Sequence, residues 1–182
     1  MSITPSLAEG VFVLASCMTR NIFRDLFQDV GLLTCPPFYR DGQFYLALLA
    51  GLLVLAVIYL FVPVHAYDIT LRQWSYFIAL VIWQPFWEEL LFRGIIQGQL
   101  YKSPWGKRAR LKVSNANMVS SLAFAALHIA YNPDLWSVSV FVPSLVFGYF
   151  RERHNTTCSA IALHSIYNLG YMVVLILKPG YT

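Results

Sequence analysis

The chain has 182 residues, the length of one domain, yet 58% of them are hydrophobic and only 12% charged. That charged share is about half the ordinary globular value, too little to clothe a soluble surface without large exposed apolar patches. The composition therefore specifies an all-α polytopic membrane protein. The net charge of +4 sits in short loops between apolar blocks, which fits the positive-inside rule and leaves no stripe for nucleic acid.

Residues 1–43 read as an N-terminal interfacial or accessory segment. Ser6-x-x-Glu9 is a capping-box pattern, and the apolar run 7–18 is short for a span, so whether it crosses stays open. Leu14-Ala-Ser-Cys17 resembles a lipoprotein cleavage box, but the preceding stretch lacks Lys and Arg and carries Glu9, a poor signal peptide. In 20–30, Ile22, Phe23, Leu26, Phe27 and Val30 share one helical face opposite Arg24, Asp25 and Asp29, as in a helix lying in the interface. Cys35-Pro36-Pro37 ends it. Cys17, Cys35 and Cys158 are odd in number and lack CxxC spacing, which indicates neither a disulfide framework nor a zinc knuckle.

Residues 44–182 read as a bundle of five spans. The first, 44–64, is uncharged. The second, 73–100, is apolar in its first half and carries Glu88, Glu89 and Arg93 in its second. Loop 101–113 holds Lys102, Lys107, Arg108, Arg110 and Lys112 with no acid. The third, 114–131, stops at an Asn132-Pro133 turn. The fourth, 135–150, is expected to kink at Pro143, and Arg151-Glu-Arg153 leads to the fifth, 156–177. Placing loop 101–113 in the cytoplasm puts ten basic residues on that side and only Arg72 and Lys178 on the other, a firm orientation. Trp74, Trp105 and Trp136 fall near span ends.

Charges inside a bilayer cost about 2.5–3.5 kcal/mol each on insertion scales, so those present are functional candidates. Among the acids only Glu88 and Glu89 lie within a span. Glu89 and Arg93 are spaced i,i+4 and can pair on one face, which leaves Glu88 aimed elsewhere without a local partner. His128 lies in the third span. His164 and Asn168, also i,i+4, lie in the fifth. At 1.5 Å per residue, Glu88, His128 and Asn168 are about 18, 21 and 18 Å from the basic ends of their helices, and His164 about 12 Å. Taken singly, Glu89–Arg93 reads as a structural pair, His128 as readily a helix-bridging hydrogen bonder, and Asn168 as interhelical glue. Gly94-x-x-x-Gly98 reads as tight packing, and so do Trp83 and Trp87. The coincidence of four polar groups from three helices in one layer points to a site.

Glu88-Glu89-Leu-Leu-Phe-Arg93, Phe124-Ala-Ala-Leu-His128 and His164-Ser-Ile-Tyr-Asn168 resemble the three motifs of the CPBP family of intramembrane proteases, the CAAX- and bacteriocin-processing or Abi group. The motifs occur in the family's order over about 73–177. The resemblance implies a glutamic-type protease. In it Glu88 and His128 activate a water, His164 and Asn168 stabilise the oxyanion, and Glu89 and Arg93 position Glu88. Such hydrolysis needs a base near neutral pH and preorganised donors in a dry site, with a polar cavity to admit water. Zinc on Glu88, His128 and His164 is the competing possibility; it is not favoured, because Asn168 is a poor ligand but a good oxyanion donor. No cofactor is therefore expected, and Asn168→Ala is expected to lose activity without losing the fold.

No His-Glu-x-x-His, no Gly-x-Ser-x-Gly and no aspartate within a span supports another protease chemistry. The resemblance implies a protein or peptide substrate that is lipidated or carries a C-terminal anchor, met in the membrane. The compact length favours a prokaryotic cytoplasmic membrane. An ion or proton transporter and a non-enzymatic binding protein on the same fold are the alternatives. About five spans without inverted repeats argue against transport.

Overall fold

The computed structural model describes residues 27–62 and 74–177. The expectations for 7–18 and for 20–26 of the interfacial helix lie outside the described residues. Of that helix's apolar face, Val30 is buried and Phe27 is half-exposed.

Helix α1 (Gly42–Phe61) starts at Asp41, whose carboxylate accepts from Gln43 N at 3.0 Å, an N-cap that satisfies an otherwise unpaired donor. A rod at 74–101 forms α2, built of five pieces: α-helical Trp74–Ile78, π-helical Ala79–Trp83, α-helical Gln84–Glu89, π-helical Leu90–Gln97 and α-helical Gly98–Tyr101. A two-stranded hairpin, β1 (Ala109–Arg110) and β2 (Val113–Ser114), leads into α3 (Asn115–Tyr131). Ser114 caps α3 by accepting from Asn117 N. Asp134 likewise caps the short α4 (Leu135–Ser139) by accepting from Ser137 N. Helix α5 (Phe141–His154) ends at Asn155 in the left-handed conformation, and α6 (Cys158–Leu177) closes the described chain.

The break between α4 and α5 falls at Val140, three residues before the expected kink. Pro143 has no N–H and its ring crowds the preceding turn, so the helix interrupts upstream and Pro143 sits in the first turn of α5. Within the basic loop the chain folds into the hairpin. Cys35 and Cys158 form a disulfide across 123 residues, with Cα atoms 5.8 Å apart, a pairing no local spacing could reveal.

Among the described residues two helices, α1 and α6, are long and apolar enough to cross a membrane. The outside of the molecule is greasy: Leu46, Leu49, Leu52, Leu53, Val57 and Leu60 of α1 are exposed. The interior joins a small aromatic and aliphatic core (Phe44, Phe147, Phe150, Ala160, Leu163) to a polar seam in which Gln97, Asn117, Ser120, Ser121 and Ser144 are fully buried. That inversion suits lipid as solvent, where small and polar residues hold helices together. In the seam, Asn117 Nδ2 donates to Leu145 O and Gln97 Nε2 to Gly148 O. A Cβ on Gly148 would lie 2.0 Å from Asn117 Oδ1, so only glycine admits this approach of α3 to α5. Gly94 does pack tightly, against Val30, and Gly98 lies against Asp29 O at 3.3 Å. Thr156 Oγ1 and Thr157 N both donate to Gly31 O, which ties the 29–31 segment to the start of α6.

Candidate active site

The candidate side chains project from α2, α3 and α6, and the backbone of α2 is adapted to them. Gln84 N donates to Ala79 O in the i→i+5 register of the first π segment. The same register would pair Leu80 O with the nitrogen of Pro85, which carries no hydrogen. Asn168 of α6 supplies the missing donor, its Nδ2 lying 2.9 Å from Leu80 O. Pro85 thus accounts for a widened turn just before the glutamates and for the carbonyl that Asn168 reads. Such π turns recur at functional sites.

Glu89 is fully buried. Its Oε2 lies 3.2 Å from Arg93 Nε, an ion pair whose angle falls short of a hydrogen bond. Arg93, also fully buried, donates through Nη2 to Ser144 O at 2.8 Å and to Ser144 Oγ at 2.7 Å. Its guanidinium stands 5.0 Å from the Phe124 ring centre and 5.8 Å from that of Phe147, where the ring faces attract a cation. The expected Glu89–Arg93 pair is present, and it anchors α2 to α5.

Glu89 has a second partner. Its Oε1 lies 2.8 Å from His164 Nδ1. A carboxylate paired with arginine can only accept, so Nδ1 carries the proton and donates. His164 is buried, stacked on Phe147 at 4.8 Å and 18°. Its Nε2 faces Glu88 Oε2 at 3.8 Å, beyond hydrogen-bond length. The imidazole is therefore bracketed by two carboxylates, one holding it and one facing its free nitrogen.

Glu88 does have a local partner: Gln84 Nε2 donates to its Oε1 at 2.7 Å. Oε2 is buried and takes no hydrogen bond from the described residues. On α3, His128 Nδ1 lies 3.0 Å from Phe124 O; the carbonyl accepts, so Nε2 keeps its lone pair. The His128 ring packs on Phe124 at 4.4 Å, and Phe124 meets His164 edge-on at 6.0 Å. Phe124 is thus the wall shared by both histidines and Arg93, the structural sense of a Phe one turn before His128.

Glu88, Glu89, Arg93 and His164 come together as one connected cluster. His128 joins through Phe124, and Asn168 lies beside the first π segment. Sequence reasoning missed Gln84, Ser144 and Pro85. Gln84 has the same i,i+4 spacing to Glu88 that reveals Glu89–Arg93, and Ser144 is a polar residue one position after Pro143, deep in an expected span. Among the described residues no group of three or more His, Cys, Asp or Glu is arranged to hold a metal ion. A cavity of about 520 Å³ lies elsewhere, between Pro36–Asp41 and the Arg153–His154 pair, and includes none of the candidate side chains. Trp83 and Trp87, 6.2 Å apart and exposed, flank Gln84 and Glu88 on α2.

A family model described as Rce1-like, type II CAAX prenyl endopeptidase, matches residues 70–170, more than half of the chain. That span contains all three motifs. No curated protein and no solved structure matches the chain.

Proposed function

The chain belongs to the Rce1-like type II CAAX prenyl endopeptidase family, a protease family of membrane proteins, and on that premise we propose that it is an intramembrane endopeptidase in which Glu88 activates the attacking water. The observation that carries this reading is the division of labour between adjacent glutamates. Glu89 is consumed by Arg93 and His164, whereas Glu88 keeps a buried oxygen, Oε2, free to take a proton. Gln84 fixes the other oxygen and so aims the carboxylate.

In this scheme the water lies between Glu88 Oε2 and the lone pair of His128 Nε2. One proton passes to the carboxylate as the water oxygen bonds to the scissile carbonyl carbon, and the same proton later reaches the leaving amine. His164, held through Nδ1 by the Glu89 carboxylate, turns Nε2 toward the oxyanion. Asn168 retains a second amide hydrogen beyond the one given to Leu80 O and completes the donor pair. Arg93 and Glu89 are positioning residues. The scheme uses no metal; Asn168 on the same face as His164 is suited to an oxyanion and poorly suited to zinc.

We place five membrane crossings, with the hairpin side cytoplasmic, in a prokaryotic cytoplasmic membrane. The substrate class is a membrane-associated peptide processed near its C-terminus, lipidated or anchored. Exposed Trp83 and Trp87 beside Glu88 offer such a substrate an apolar flank. Membranes containing the protein are expected to cleave a prenylated CAAX-type peptide, in EDTA as without it, and membranes carrying Glu88→Ala to leave it intact. Cleavage that survives Glu88→Ala, or stops on chelation and returns with zinc, contradicts the scheme.

A further inference from the structure

The link between α2 and α3 is a built feature rather than slack chain. Ala109 pairs with Ser114 and Arg110 with Val113, so Leu111 and Lys112 form a two-residue turn. Both have positive φ, 50° and 66°, the type I′ geometry that usually takes Asn-Gly because each residue must be left-handed. Leucine is a poor residue for that conformation. At the tip Leu111 is 98% exposed, so nothing in the described chain compensates it. An unfavourable backbone carrying a fully exposed apolar side chain points to a contact outside the chain.

The surroundings say which contact. Lys107, Arg108, Arg110 and Lys112 are all exposed around the tip, and no acid occurs between Lys102 and Ser114. The base of the hairpin is held firmly. Gly106 O accepts from Ala116 N, Arg108 O from Asn115 N, and Trp105 O from Asn115 Nδ2. A Cβ on Gly106 would lie 1.9 Å from Leu100 O, which pins the turn against the end of α2. Trp105, half-exposed at the base, is the side chain that bilayer interfaces favour.

We propose that this hairpin docks on the membrane surface, with Leu111 inserted at the headgroup–acyl boundary and the four cations on anionic phospholipid headgroups. Charge complementarity selects an anionic surface. Leu111 then selects lipid over an acidic protein or nucleic acid, since either of those would match the cations and leave the leucine in water. The hairpin continues directly into α3, so the bilayer around the bundle is the surface within reach. This proposal rests on membrane residence and is independent of the catalytic reading.

An environment-sensitive fluorophore on Leu111→Cys, in a Cys17→Ser background with the unsubstituted background as blank, reports the tip. The protein is reconstituted in vesicles of phosphatidylcholine alone and of phosphatidylcholine with phosphatidylglycerol. Emission should shift to the blue in the mixed vesicles and much less in phosphatidylcholine, and high salt should reverse it. Each cation near an anionic surface shifts the docked-to-free ratio about fivefold, so Arg110→Gln with Lys112→Gln should lower it about 25-fold at unchanged Tm. Water-like emission in both vesicle types, or an equal blue shift in both, overturns the proposal.

Discussion

Glu88 and Glu89 are neighbours in sequence and opposites in energetic role, and replacing each by alanine separates them. Glu89→Ala leaves the guanidinium of Arg93, fully buried, without its carboxylate, and strips His164 Nδ1 of its acceptor. Removing one partner of a buried ion pair costs about 3–5 kcal/mol. Glu88→Ala loses a single exposed hydrogen bond from Gln84, about 0.5–1.5 kcal/mol. For a chain of this size each kcal/mol moves Tm by about 2–4 °C. Thermal unfolding of the purified variants in one detergent should therefore show losses of about 6–20 °C for Glu89→Ala and about 1–6 °C for Glu88→Ala. Glu89→Gln, which keeps an acceptor for His164 but not the charge, should fall between them. Replacing Glu89 and Arg93 together by apolar residues should recover part of the loss, because no unpaired charge then remains. Equal Tm for the two single alanine variants, or a lower one for Glu88→Ala, refutes the division.

Asn168→Ala, which the sequence suggests should spare the fold, instead orphans Leu80 O and should cost about 1–3 kcal/mol of stability as well as about 10²–10³ in rate; an unchanged Tm would remove Asn168 from its cap on the π turn. The Cys35–Cys158 disulfide joins positions 123 residues apart, and such a cross-link stabilises mainly by restricting the unfolded chain. Reductant should lower the Tm of oxidised protein and leave Cys35→Ser unaffected, and a Tm indifferent to reductant would deny the cross-link a stabilising role. At the head of α1, the hydrogen bond from Arg153 holds the Asp41 carboxyl well below its usual value, helped by Gln43 N and His154 against the opposing effect of burial. A depressed folded pKa means that this stabilisation is complete above about pH 4, the unfolded value, and fades as pH falls toward the folded one. Wild type should thus exceed Asp41→Asn in Tm at neutral pH and converge with it in acid, and a constant gap would contradict the sign.

Much of the secondary structure was legible because it is local. Ser114 and the Asn132-Pro133 turn bracket α3 within a residue, and the i,i+4 spacing of Glu89 and Arg93 foretells their pairing. The alignment of depths put Glu88, His128, His164 and Asn168 of three helices in one layer, but did not show which atoms meet. His164 is held by Glu89 through Nδ1, a contact across 75 positions that no helical spacing encodes. Asn168 reads the carbonyl that Pro85 leaves unpaired in the π register, a consequence visible only once Gln84 N is seen bonding to Ala79 O. The disulfide and the partners of Gly94 and Gly98 stayed hidden for the same reason: their partners lie far away in the chain. The hairpin was missed because Leu-Lys is not a sequence that signals a type I′ turn.

The central claim is that Glu88 is the base, and Glu88→Gln tests it most directly. Glutamine keeps the volume and an acceptor for Gln84 Nε2, and removes only the capacity to take a proton at this position. Initial rates of peptide cleavage by purified wild type and Glu88→Gln, read beside their Tm values, give the answer. The account predicts that Tm falls by less than about 6 °C, the most that losing the whole Gln84 hydrogen bond would cost, while cleavage falls by at least about 10²-fold, the low end of general-base contributions. Turnover near wild type in a variant with unchanged Tm would contradict it.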